Sequence, residues 1–152
     1  MKGISRIDFG VLILRLGLGL TMVFFGAQKM FALFGGAGYN PTVKFLHTQV
    51  GAPTPLAHLA IFAEFLGGLG VIFGALTPLA CLGVACTMGV ATFFNVHDPS
   101  VLSGIFNGAQ GADPSKLFFP GSLCLAAIAL LILGPGKISL DAKLFKKKGP
   151  KK

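Results

Sequence analysis

Apolar and polar positions along this chain alternate in long blocks rather than at a short period. Four apolar runs stand out, at about 6–34, 55–76, 78–95 and 114–133, the first with its uninterrupted core from Phe9 to Ala27. A membrane-spanning helix needs about 20 mostly apolar residues, and each run meets or nearly meets that length. The breaks are well punctuated. Thr54-Pro55, Thr77-Pro78 and Asp113-Pro114 each set a capping side chain before a proline, which suits a helix start. Asn40-Pro41 repeats the pair and predicts a short extra helix from Pro41 to Val50, ended by Gly51. Gly134-Pro135-Gly136 stops the fourth run. The expected fold is all-α: a polytopic membrane protein built as a four-helix transmembrane bundle. The first run contains Arg15 and lacks an A-x-A cleavage site, so it reads as a mature helix rather than a signal peptide.

Composition agrees. Of 152 residues, 53% are hydrophobic and 12% charged. A soluble domain carries about 25% charged residues to wet its surface, so lipid must be the solvent over most of this one. The net charge of +8 is uneven, because Lys143, Lys146, Lys147, Lys148, Lys151 and Lys152 crowd the last ten residues. With Lys2 and Arg6 they mark one side of the membrane as cytoplasmic, and an even number of spans places both termini there. The domain plan is a four-helix transmembrane domain over 1–136 and a basic cytoplasmic tail over 137–152, with anionic lipid rather than nucleic acid as the tail's partner. The long connections, roughly 30–54 and 96–113, then face outward. Val101, Leu102, Ile105 and Phe106 suggest that the second of them folds back on the bundle as a lid. The expected location is the inner (plasma) membrane, multi-pass.

Charge inside a bilayer costs a few kcal/mol, so it faces the bundle and finds a partner. Arg15 and Lys29 lie close to four turns apart on one face of the first helix, with Gly19, Met22 and Gly26 between them. That stripe predicts close helix packing or a glycine-lined groove with room for a ligand headgroup. Arg15 is near enough to the cytoplasmic end to snorkel there. Glu64 on the second helix matches Lys29 in depth, which predicts a Lys29–Glu64 ion pair. These charges either fix helix pairing alone or make Glu64 a proton or ligand site. His97-Asp98 closes the third helix and reads either as a helix terminus or as a proton-transfer pair. The candidate ligand or proton-site residues are thus Arg15, Lys29, Glu64 and His97. Spacings offer no metal cluster, and Cys81, Cys86 and Cys124 form no C-x-x-C, so they read as apolar packing.

The run Leu14-Arg15-Leu16-Gly17-Leu18-Gly19, followed by Phe24-Phe25-Gly26-Ala27-Gln28-Lys29, resembles the first helix of DoxX-family membrane proteins. Gly51-Ala52-Pro53, Ala63-Glu64-Phe65-Leu66-Gly67-Gly68 and Gly74-Ala75-Leu76-Thr77-Pro78-Leu79-Ala80 resemble their second helix and the turn after it, and His97 fits as well. The resemblance spans roughly residues 9–133. It implies a four-helix inner-membrane protein of a family named for a subunit linked to a quinol oxidase and to thiosulfate:quinone oxidoreduction. Arg15, Lys29, Glu64 and His97 match the family's charged pattern. One departure is a Gly-Gly-x-Glu-like element before the last helix: Gly111-Ala112-Asp113-Pro114 stands here, with no glutamate.

The expected function is a subunit of a quinone-linked redox complex. The chain shows no motif for an intrinsic cofactor, so a quinone is the one it would take, and redox partner subunits would exchange the electrons. It would be at most part of an oxidoreductase. The alternatives are a non-enzymatic membrane scaffold or anchor, and a small-solute or proton carrier using Glu64, the latter working as a homo-oligomer.

Overall fold

A computed structural model describes residues 4–107 and 113–144. Helix α1 spans Arg6–Phe31, α2 Tyr39–Thr48, α3 Thr54–Phe73, α4 Thr77–His97, α5 Pro99–Asn107, α6 Ser115–Leu133 and α7 Leu140–Leu144. A single 3-10 turn, Leu33–Gly35, follows α1. Four of these helices, α1, α3, α4 and α6, are long and apolar enough to cross a membrane. They run up and down in chain order. Helix α1 packs extensively on α3, α3 on α4 and α4 on α6, while α6 closes back onto α1 only slightly. The start of α1 and the end of α6 therefore lie at one end of the bundle, called here the terminal end; the other is the distal end.

The core is narrow. Val11, Leu18, Met22, Val71, Cys81, Val84, Met88, Ala127 and Leu130 fill it, whereas Ile13, Leu79 and Ile132 are among the many large apolar side chains left on the outside. In water that outer surface would be untenable; in a bilayer it is the solvated face.

The close packing of α1 on α3 depends on missing side chains. A Cβ on Gly19 would meet Ile72 Cγ1 at 2.5 Å and the Gly68 carbonyl oxygen at 2.8 Å, and one on Gly68 would meet the Val23 nitrogen at 2.8 Å. At Gly26 the obstacle is the Phe65 backbone, at 2.7 Å. The glycine stripe is thus filled by the neighbouring helix, which corrects the expectation of a glycine-lined groove with room for a headgroup. Gly26→Ala should lower stability by about 1–3 kcal/mol, the usual cost of overpacking, because rigid backbone cannot yield. Gly17→Ala, where a Cβ meets nothing within 4 Å, serves as control and should be neutral or mildly stabilising. Melting of the two variants in detergent separates these outcomes, and equal melting temperatures would refute the account.

The expected elements are present with shifted ends. Helix α1 stops at Phe31, short of residue 34, because Ala32 takes the left-handed conformation (φ 56°) and the chain folds back, Gly38 N donating to the Gln28 carbonyl. The short helix begins at Tyr39 and ends at Thr48. Two proposed caps are corrected. Neither Thr54 nor Thr77 caps its helix with its own side chain; α3 and α4 start behind Pro53 and Leu76, without side-chain caps from those residues. Asp113 does accept from the Ser115 N–H, at 3.0 Å. The connection after α4 forms α5, which packs on α4 with Val101 buried. The rest of the expected lid, 108–112, lies outside the described residues.

At the terminal end, the chain after α6 docks across the bundle rather than leaving it. Ser139 and Asp141 are buried there. Asp141 caps α4 from 64 positions away: its carboxylate accepts the N–H of Leu76 and of Thr77, both at 2.8 Å, and its own N–H donates to the Gly74 carbonyl at 2.8 Å. These bonds hold the α3–α4 turn, in which Leu76 sits at φ 49°, a strained left-handed conformation for a bulky residue. Lys137 pairs with Asp8 at 3.6 Å, and its backbone N–H donates to the same carboxylate. So residues 137–144 of the expected tail belong to the packed structure; 145–152, with most of the lysines proposed to meet anionic lipid, lie outside the described residues.

Candidate functional site

The four charged candidates separate into two places. Arg15 lies in the terminal half, 1% exposed. Its Nε donates to the Val71 carbonyl at 2.8 Å and Nη2 to the Ile72 carbonyl at 2.7 Å, both in the last turn of α3. Nη1 donates to the Pro135 and Ile138 carbonyls at 2.9 and 2.7 Å. The last carbonyls of a helix have no partner within it and carry its negative dipole end, so a buried guanidinium there satisfies both. Arg15 ties α1, α3 and the segment after α6 together; it does not snorkel. Gly74 leaves room for it, since a Cβ at that position would lie 2.5 Å from Nη2. Asp141 supplies the nearby countercharge. Burial alone would raise the Asp141 carboxyl, but hydrogen bonds from Thr77 and Leu76 and the charge of Arg15 outweigh it and hold its pKa below the ordinary carboxylate value.

Lys29 and Glu64 meet at the distal end, as their matching depths predict. The Lys29 ammonium lies 2.6 Å from Oε1 and 2.5 Å from Oε2 of Glu64. The two side chains differ in exposure: 36% for Lys29 and 7% for Glu64. The cause is local. Glu64 faces α1 on the buried side of α3, while Lys29 sits in the last turn of α1, where a cation is also favoured by the helix dipole.

Lys29 also lines a cleft of about 490 Å³ between α1, α4 and α6. Met22, Phe25, Met88, Ala91, Phe119, Pro120 and Leu123 wall it, and Ser115 and Lys116 complete its lining from the first turn of α6. The cleft exists because α6 scarcely closes on α1. Phe25 and Phe119 bridge that seam edge to face, with ring centroids 5.3 Å apart. A largely apolar slot edged by two lysines, one of them half-exposed and clamped by a buried carboxylate, can orient a flat ring carrying polar oxygens. Sequence reasoning missed Phe25, Lys116 and Phe119 as lining residues. Their position on facing helices was the only signal, and it appears once α1 and α6 are paired.

The histidines stay apart, each with a local partner. His97 Nδ1 lies 2.8 Å from the Phe93 carbonyl and its ring leans on Phe93, so it closes α4 on the exposed surface and does not line the cleft. His47 contacts the Ala52 carbonyl at 3.0 Å, and His58 stacks on Tyr39, whose hydroxyl lies 2.7 Å from its Nδ1. Among the described residues no three His, Cys, Asp or Glu side chains converge on a metal-sized site. Cys81 is buried in the core, and Cys124 contacts the Ala85 carbonyl.

Comparison with known proteins agrees with this architecture. The chain is 30% identical over 152 residues to the inner membrane protein YphA of Escherichia coli strain K12, covering 94% of this chain and 100% of that protein. It is 31% identical over 142 residues to the inner membrane protein YqjF of the same strain, covering 92% and 95%. No solved structure matches it. With four spanning helices and inner-membrane relatives along nearly its whole length, it is a multi-pass inner-membrane protein. The DoxX family profile matches residues 10–98, more than half of the chain, and with that match the chain belongs to the DoxX family.

Proposed function

We propose that this protein is the quinone- or quinol-binding membrane subunit of a redox complex, with its site in the distal cleft. The observation that carries the reading is the placement of Lys29, which joins the buried Glu64 carboxylate to the wall of a largely apolar slot that holds two aromatic rings. Lys29 would donate to a ring oxygen. Glu64 holds the ammonium in place from behind the cleft wall. Phe25 and Phe119 flank the ring, and the slack α1–α6 seam admits it from the lipid. The bound quinone would supply the redox chemistry, and a partner subunit would exchange electrons with it. Arg15 acts in this scheme only through the frame. The lysines near both chain ends support a cytoplasmic terminal end, with the cleft then on the outer side.

A filled cleft tests the reading. Ala91→Trp places a large ring in the slot while leaving the ion pair intact. The protein is purified in nanodiscs as a C-terminal GFP fusion, whose fluorescence in cells also requires a cytoplasmic C-terminus. Titration with a short-chain benzoquinone should show saturable binding to the native chain, reduced at least about tenfold, or roughly 1.4 kcal/mol, in Ala91→Trp. Failure of the native chain to bind, or equal binding by both, would sink the proposal.

A further inference from the structure

We propose that the distal cleft takes its ligand as an anion, with a charged head reached by both Lys29 and Lys116. This deepens the quinone reading of the same cleft and rests on it. Among the described residues, two that bear an ammonium line the cleft and no aspartate or glutamate does. Glu64 engages Lys29 from α3, a helix that contributes nothing to the lining. Asp113 is the acid beside Lys116, but its Oδ1 accepts the Ser115 N–H and hydroxyl, and it lies outside the lining as well.

The lysines still have capacity. An ammonium has three N–H donors, and two contacts bind Lys29 to Glu64. Lys116 is exposed at the start of α6. The first amides of α6 are already bonded, those of Lys116, Leu117 and Phe118 to the Asp113 and Pro114 carbonyls, so the cationic character of this wall comes from the side chains. Apolar surroundings strengthen attraction between unlike charges. A neutral carbonyl head would use one donor and leave Lys116 idle. A deprotonated quinol or hydroxyquinone would use both, with its ring against Phe25 and Phe119 and its tail along Met22, Met88 and Leu123. The head of a single-chain acidic lipid shares that chemistry.

The test needs no electron donor. The native chain in nanodiscs of zwitterionic lipid is titrated with a 3-alkyl-2-hydroxy-1,4-naphthoquinone, which is ionised at neutral pH, with its neutral methyl ether, and with an alkanoic acid of matched length. The ionised ring compound should bind at least about tenfold more tightly than the ether. Lys116→Gln should bring its affinity down to that of the ether, and Lys116→Arg should keep the preference. Equal affinity for the two ring compounds would overturn the anion proposal while leaving a quinone site standing. Binding of neither ring compound would overturn the quinone reading instead. In that case Lys116-dependent binding of the alkanoate would sustain the anion site as one for lipid heads, and its absence would overturn both.

Discussion

Arg15→Met should be the most damaging single substitution in this protein. Methionine fills much of the same volume, but it abandons four carbonyls, those of Val71, Ile72, Pro135 and Ile138. It also removes the cation beside Asp141. Losing one partner of a buried charged network costs roughly 3–5 kcal/mol. For a chain of this size that is a fall of about 10 °C or more in melting temperature. Arg15→Lys should recover less than half of the loss, because a compact ammonium cannot fork in two directions at once. The pH dependence follows from Asp141. Its pKa is depressed on folding, so its contribution is fully present above the ordinary carboxylate range near pH 4 and disappears as pH falls through its lower folded value. Arg15→Met should weaken that acid dependence. Melting followed by size-exclusion in detergent from pH 7 down to pH 3 measures both effects. If Arg15→Met melted like the native chain but lost quinone binding, Arg15 would belong to a ligand site and its structural assignment would be wrong.

The spans, their order and the Lys29–Glu64 pair were legible because each rests on a strong local rule. Apolar length marks a span, proline and glycine mark its ends, and a buried charge must find a partner at its own depth. The role of Arg15 was not legible, because its partners are backbone carbonyls, which carry no sequence signature. The docking of residues 137–144 was hidden by the lysines around it. Asp141 is the sole acid after Asp113, and two of the three residues before it, Ile138 and Leu140, are apolar. Those two details were the available sign that the segment packs before the basic run begins. The glycine stripe was read correctly as a packing surface and wrongly as a groove, since the same pattern suits both. Only the fit of Gly19 and Gly26 against α3 decides between them. The cleft was invisible for a related reason. It arises from a weak contact between α1 and α6, helices that are first and last among the four spans, and no local rule reports a contact that fails to close.

Breaking the Lys29–Glu64 pair from its two sides should give unequal results. Lys29→Met leaves a carboxylate that is 7% exposed without its cation, whereas Glu64→Gln leaves an ammonium that is 36% exposed and able to reach water. The first should cost roughly 2–3 kcal/mol and the second about 1 kcal/mol, because a stranded buried charge is penalised more than a stranded half-exposed one. In the double variant, Lys29→Met with Glu64→Gln, no charge is stranded. Its cost should be near that of Glu64→Gln alone, so the two losses do not add. Additive losses in detergent melting would mean that the two side chains contribute independently. The double variant also separates stability from function. If the pair only fixes α1 against α3, a folded double variant should bind a short-chain quinone like the native chain. If the pair is part of the site, that variant should melt well and bind poorly, because the donor to the ring oxygen and the carboxylate behind it have both gone. The proposed function requires the second result.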